Sequence, residues 1–172
     1  MHSWNADRSC VKLLIFTFIF IFIGALEAHA KEPCVHDALN FRCVKYVKNY
    51  DADTITFNIP GVHPLFGKKI NIRVLGVDTP EVRTKNACEK QKARNAKRLV
   101  ENLLKRAHRI DLLNVRRGKY FRIVAEVKVD GVLLSHYLLK NGLAYSYDGG
   151  KKKKIDWCQS SREIASKNLK GF

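Results

Sequence analysis

Five short runs of alternating polar and apolar residues, with one strongly amphipathic helix between the third and the fourth, predict a mainly β, α+β domain. The expected form is a small closed barrel with about three helices packed against it. Val44 to Lys48 reads as the first strand and Asn49-Tyr50-Asp51-Ala52 as a turn. Thr54 to Ile59 alternates, the mark of a half-buried strand, and Pro60-Gly61 ends it. Pro64 and Gly67 predict a loop next. Ile70 to Val74 alternates again, with Ile70, Ile72 and Val74 on one face and Asn71 and Arg73 on the other.

The helix is expected from about Cys88 to Ala107. Ala93, Ala96, Val100, Leu103 and Ala107 recur at spacings of three and four, widened by Leu99 and Leu104. Its other face is basic, carrying Lys90, Lys92, Arg94, Lys97, Arg98, Lys105 and Arg106, and reads first as a solvated surface. Ile110 to Val115 and Tyr120 to Val129 are the last two strands. In the latter, Phe121, Ile123, Ala125, Val127 and Val129 share a face opposite Arg122, Val124, Glu126 and Lys128. Asp130-Gly131 marks a turn, and Leu133 to Asn141 a short helix ended by Gly142. Lys151 to Lys154 is a basic run, and residues from about Ile155 to Leu169 form a final helix. Strand count and apolar faces argue for a five-stranded OB-type barrel.

The first 30 residues read as a leader outside this fold. Arg8 and Lys12 precede an apolar run from Leu13 to Leu26, followed by Ala28-His29-Ala30. Charge, apolar core and small residues in that order are the pattern of a secretory signal peptide cleaved near Ala30. The run is shorter than the roughly 20 apolar residues of a spanning helix. The alternative is an uncleaved membrane anchor over residues 13–28. Residues 31–172 then form a single domain, expected to be a monomer.

The chain carries a formal charge of +16. The leader's Asp7, Arg8, Lys12 and Glu27 cancel, so the whole surplus belongs to the domain. Such a surplus favours an anionic partner: nucleic acid, a membrane surface or an acidic protein. Cys34, Cys43, Cys88 and Cys158 remain after the leader, an even number that suits two disulfides in an exported domain. Of the three connectivities, Cys34–Cys43 with Cys88–Cys158 is favoured, closing a local loop and tying the helix start to the tail. No Cys-x-x-Cys or His-x-x-x-His spacing suggests zinc.

Chemistry concentrates in Asp51-Ala52-Asp53-Thr54 and Asp78-Thr79-Pro80-Glu81, with Arg73 and Arg122 beside them. Asp53 and Asp78 each lie at a strand boundary, so a barrel can bring them to one rim. Two carboxylates with a backbone carbonyl and waters suit a hard divalent cation. Arg73 and Arg122 each leave the apolar face of their strand, and a guanidinium fork matches phosphate in shape and charge. Glu81, after the rigid Pro80, is placed to orient or deprotonate a water.

These residues resemble a known family. Ile72-Arg73-Val74-Leu75-Gly76-Val77-Asp78-Thr79-Pro80-Glu81, preceded by Asp51-x-Asp53-Thr54 and followed by Lys119-Tyr120-Phe121-Arg122 and Asn141-Gly142-Leu143-Ala144, is similar to the micrococcal (staphylococcal) nuclease or thermonuclease family. The resemblance runs from about Val44 to Tyr147, and the extra cysteines suggest an exported bacterial branch. It implies an OB-fold and calcium-dependent hydrolysis of DNA and RNA, leaving 3′-phosphates. It further implies Asp53, Asp78 and the Thr79 carbonyl as calcium ligands, Asp51 acting through water, and Glu81 as general base or water orienter. Arg73 and Arg122 would stabilise charge at phosphorus, and Lys119 and Tyr120 would contact the neighbouring phosphate. Tyr145 and Tyr147 are both candidates for stacking a base. The chain departs from the pattern at Ala52, where glycine is usual, at Gly118, where an acid is common, and at Phe121, where glycine is common.

Three functions are therefore weighed: an exported endonuclease acting on DNA and RNA, single strands preferred; an OB-type module that grips nucleic acid without cutting; and a basic interaction protein of the cell envelope.

Overall fold

The fold is built on a run of antiparallel pairings that the sequence alternation sets up. A computed structural model describes residues 33–152, 154–159 and 161–169; the leader expected over residues 1–30 and its cleavage site lie outside them. Strands β1 (Lys45–Asn49), β2 (Thr54–Asn58) and β3 (Ile70–Val74) form a meander. Between β2 and β3, where a loop was expected, Pro64–Gly67 forms one turn of helix, α1. Pro64 lacks the amide that a first turn leaves unbonded, and the His63 ring accepts from Leu65 N at 3.3 Å. A two-residue strand β4 (Val77–Asp78) follows, then the long helix α2 (Ala87–Arg106). The chain continues through β5 (Ile110–Arg117), β6 (Ile123–Val129), β7 (Val132–Leu133), α3 (Leu134–Lys140), β8 (Tyr145–Ser146) and α4 (Ser161–Leu169).

The main sheet runs β1-β2-β3-β6-β5, with β7 on β6, and β4 pairs with β8 apart from it. All pairs are antiparallel except β3 with β6. The ladders therefore trace a path rather than the ring of a closed five-stranded barrel. The two ends of the path still meet. Phe41 exchanges both backbone hydrogen bonds with Leu112 at 2.8 Å, and Val44 N donates to Ile110 O at 2.9 Å.

Two expected boundaries move for local reasons. β6 starts at Ile123 rather than Tyr120, because Tyr120 and Phe121 both adopt φ 58°, which breaks the pleat. α4 starts at Ser161 rather than near Ile155, because the Asp156 side chain accepts from Cys158 N at 2.9 Å and holds a turn there.

The core lies between the sheet and the helices. Ile55, Phe57, Ile72, Leu112, Leu134, Leu138 and Val100 are fully buried, and each large aliphatic or aromatic side chain so buried stabilises the fold by about 1.5–3 kcal/mol. The fully buried line of α2 is Ala93, Ala96, Val100 and Leu104, with Leu99, Leu103 and Ala107 partly buried against the core beside it. Asn86 caps α2, accepting from Glu89 N at 3.0 Å. After α3, Gly142 takes φ 61°, and a Cβ there would meet Ser161 O at 2.0 Å. Tyr145, Trp157 and Ile164 form a smaller cluster against α4.

The favoured cysteine pairing is the one observed: Cys34 with Cys43, and Cys88 with Cys158. The second joins the first turn of α2 to the segment before α4. The described residues from Cys34 onward form one compact unit. No helix among the described residues is long and apolar enough to cross a membrane.

Candidate active site

Sheet register converts scattered acids into one cluster. Thr54 of β2 stands opposite Arg73 of β3, and Val74 N donates to Asp53 O at 2.8 Å, so Arg73 emerges beside Asp53. The odd residue of β3 faces away from Ile72 and Val74, as the alternation predicts. β4 then carries Asp78 alongside, and its pairing sets Asp78 opposite Tyr145 of β8.

Asp53 and Asp78 are buried, at 1% and 3% exposure. They converge on one cationic group: Arg73 donates from its two terminal nitrogens, to Asp53 Oδ1 and, at 2.5 Å, to Asp78 Oδ1. The far oxygen of Asp53 accepts from Thr79 N at 3.0 Å and Thr79 Oγ1 at 2.7 Å. The far oxygen of Asp78 accepts from Tyr145 OH at 2.7 Å. Asp51 Oδ1 accepts from Asp53 N and Thr54 N at 3.1 and 2.7 Å, a side-chain turn that presents Asp53. Ala52 is buried and needs no left-handed backbone, so alanine fits where glycine is usual in the family resembled.

The electrostatics follow from this crowding. Burial pushes the Asp53 carboxyl up to about 7, against the pull of the Arg73 charge. Burial would also raise Asp78, but hydrogen bonds from Tyr145, Arg73 and Lys152 outweigh it and hold that carboxyl below its usual range.

Two residues outside the sequence motifs enter here. Lys152 Nζ lies 2.7 Å from Glu81 Oε1 and 3.1 Å from Asp78 Oδ1. Burial would lower this ammonium, but Glu81 and Asp78 hold it above its ordinary value. Nothing in a run of four lysines distinguishes Lys152; only the fold does. Glu89 is the other. Its carboxylate accepts from Glu81 N at 3.1 Å and Thr84 Oγ1 at 2.7 Å, fixing the loop that carries Glu81. Asn86 followed by a glutamate three residues on is a capping-box spacing, a signal that was present in the sequence.

Above the acids lies a cleft of about 460 Å³. Its lining brings together Asp51, Arg73, Glu81, Lys119, Arg122, Tyr147 and Lys152. Asp53, Asp78 and Thr79 lie buried at its base, touching Arg73 or one another. The two candidate tyrosines part company. Tyr147 lines the cleft, its hydroxyl donating to Gly150 O at 2.9 Å. Tyr145 is buried at 6% exposure, packs its ring 6.2 Å from that of Trp157, and spends its hydroxyl on Asp78. It positions a carboxylate and presents no face to a base. Tyr120 stands outside the lining, 86% exposed, with the Arg122 guanidinium 6.0 Å from its ring.

Tyr145→Phe is expected to lower stability by about 1–3 kcal/mol, because a buried carboxylate oxygen loses its donor. The midpoint of urea unfolding checks this. A midpoint equal to wild type would show that the contact carries no weight.

The donor set suits a hard cation. The two carboxylates already share one cationic partner, and their chemistry is oxygen only. Among the described residues, no group of three or more His, Cys, Asp or Glu side chains is gathered to cage an ion alone.

A family model described as staphylococcal nuclease homologue matches residues 71–172. The chain is similar to endonuclease YncB of Bacillus subtilis (strain 168), 37% identical over 92 residues, 50% of this chain and 43% of that protein. It is also similar to SPbeta prophage-derived endonuclease YokF of the same organism, 32% identical over 127 residues, 69% of this chain and 40% of that protein. The chain thus spans 43% and 40% of the length of these curated relatives.

Proposed function

The chain belongs to the staphylococcal nuclease homologue family, and we propose that it is a calcium-dependent endonuclease. It hydrolyses phosphodiester bonds of DNA and RNA with little sequence preference and leaves 3′-phosphates. The observation that carries this reading is the pair of buried carboxylates, Asp53 and Asp78, gathered on the Arg73 guanidinium at the base of a cleft that Glu81 and Arg122 line. The relatives' names, both endonucleases, support it.

Each residue then has a task. Asp53, Asp78 and the Thr79 carbonyl would hold calcium, with Asp51 placed to bear on it through water. Calcium bound there would supply positive charge to offset that of the phosphodiester and to polarise its phosphorus. Glu81 orients the attacking water and takes its proton as the water oxygen bonds to phosphorus. Arg73 and Arg122 hydrogen-bond the non-bridging oxygens, and Arg122 assists the 5′ oxygen as it leaves. Lys119 and Tyr120 engage the neighbouring phosphate, and Tyr147 offers a ring to a base. Lys152 must release Glu81 and Asp78 for this to proceed.

We read the sheet as an OB-type barrel, its path drawn shut where Phe41 and Val44 meet β5. Residues 31–172 act as one monomeric domain, exported after removal of residues 1–30. The two disulfides support an oxidising compartment.

The test is incubation of the purified protein with single-stranded DNA, with calcium and then with chelator. Cleavage with calcium and none with chelator is expected. Tight binding without cleavage in either condition would make the protein a non-cutting module, and neither binding nor cleavage would remove nucleic acid from its function.

A further inference from the structure

The turn between β5 and β6 exposes two aromatic rings at a steric cost. Tyr120 and Phe121 both adopt φ 58°, a conformation that glycine takes freely and that side chains resist. Both rings are 86% exposed, the most exposed of the large hydrophobic residues described. The turn is nonetheless fixed. Gly118 N donates to Arg122 O at 2.7 Å, and Arg117 Nη1 donates to Phe121 O at 3.3 Å. Folding thus holds a strained backbone that lifts a phenyl ring into water, where burial would have been favourable. Such strain needs a use.

The surroundings name the occupant. Arg116, Arg117, Lys119 and Arg122 of the same hairpin line the cleft beside the rings. The Arg122 guanidinium already sits 6.0 Å from the Tyr120 ring, whereas Phe121 offers only a hydrocarbon face. A flat apolar surface among cations fits a ligand that is flat and apolar in one part and anionic in the next. An unpaired nucleobase with its flanking phosphates is such a ligand. A paired base cannot offer its face.

We propose that Phe121 forms a base-stacking subsite at the cleft rim, which takes the face of an unpaired base beside the basic residues of its hairpin. This rests on the nuclease reading and deepens it. The ring takes the face of one unstacked base, while Arg117 and Lys119 meet the phosphates on either side of it.

Binding is measured by fluorescence anisotropy in chelator, so that no strand is cut. The probes are a short single-stranded DNA, the same backbone with abasic residues, and a duplex. Phe121→Ala is expected to weaken binding of the base-bearing strand about tenfold, to leave the abasic strand unchanged, and to narrow the preference over duplex. Phe121→Tyr, which restores a ring, is expected to recover the affinity. Equal binding of the base-bearing strand by wild type and Phe121→Ala overturns the subsite. So does a Phe121→Ala variant that instead loses binding to anionic phospholipid vesicles, which would assign the rings to a membrane. A parallel calcium-dependent cleavage assay separates the two readings. Cleavage with no Phe121 effect sinks the subsite alone, whereas base-dependent binding with no cleavage sinks the nuclease and leaves the subsite standing.

Discussion

Arg122→Lys is expected to slow phosphodiester cleavage by about 10³-fold or more, with the unfolding midpoint unchanged. The two halves of this prediction come from different parts of the structure. Arg122 is exposed and immediately precedes β6. Its backbone is stapled at both atoms, donating from N to Lys119 O at 3.3 Å and accepting at O from Gly118 N at 2.7 Å. Neither bond involves the side chain, so replacing the guanidinium leaves the hairpin held. An exposed substitution of this kind typically moves stability by no more than about 0.5 kcal/mol. Lysine keeps the charge, so long-range attraction of a polyanion survives. What it loses is the planar fork that can meet two phosphate oxygens at once as charge builds on them. Single-turnover cleavage at saturating calcium is the measurement, with urea unfolding as its control. A Lys variant within about tenfold of wild type would mean that charge alone suffices, and the role given to Arg122 at the phosphorus centre would fall.

Much of the frame was readable because it rests on periodicity. The meander β1-β2-β3, the inward line of α2 and the placement of Arg73 away from Ile72 and Val74 all follow from alternation or from spacings of three and four. Both disulfides agree with the favoured pairing because a local loop and a helix-to-tail tie ask little of the chain. The parts that escaped have identifiable reasons. β4 and β8 are two residues each, too short for any pattern. Tyr120 and Phe121 have high strand propensity, and their left-handed backbone is imposed by the hairpin. Lys152 was hidden among identical neighbours. Tyr145 carries the same side chain as Tyr147, and only the pairing of Asp78 with Tyr145 turns the first inward and leaves the second in the cleft. The acids themselves were legible as motifs, but the order in which Arg73 and Lys152 bridge them was not, because that depends on distances between strands.

Glu81→Gln is expected to lower the cleavage rate by about 10²- to 10⁴-fold, the contribution typical of a positioned general base. The amide keeps the size and shape of the carboxylate and cannot take a proton from water. Folding is expected to survive, because the Glu81 side chain is 56% exposed and its ion pair with Lys152, itself 50% exposed, is a surface contact of small net worth. The loop position is also secured without the carboxylate, since the anchor is the Glu81 backbone N–H bonded to Glu89 at 3.1 Å. Binding offers a second readout that separates chemistry from attraction. Removing one negative charge beside Arg73, Lys119 and Arg122 makes the cleft more positive, so affinity for single-stranded DNA in chelator is expected to hold or to rise. A slow variant that binds as well as wild type places Glu81 in the chemical step. A variant that is slow only because it fails to bind would give Glu81 a role in shaping the cleft, and one that cuts at the wild-type rate would move the base elsewhere. Lys152 sharpens the distinction. Its ammonium, 2.7 Å from Glu81 Oε1, occupies the oxygen that would meet the attacking water, so the role proposed for Glu81 requires that contact to open. The phosphates of an entering strand are the natural competitor for that ammonium, which makes arrival of substrate the event that frees the base.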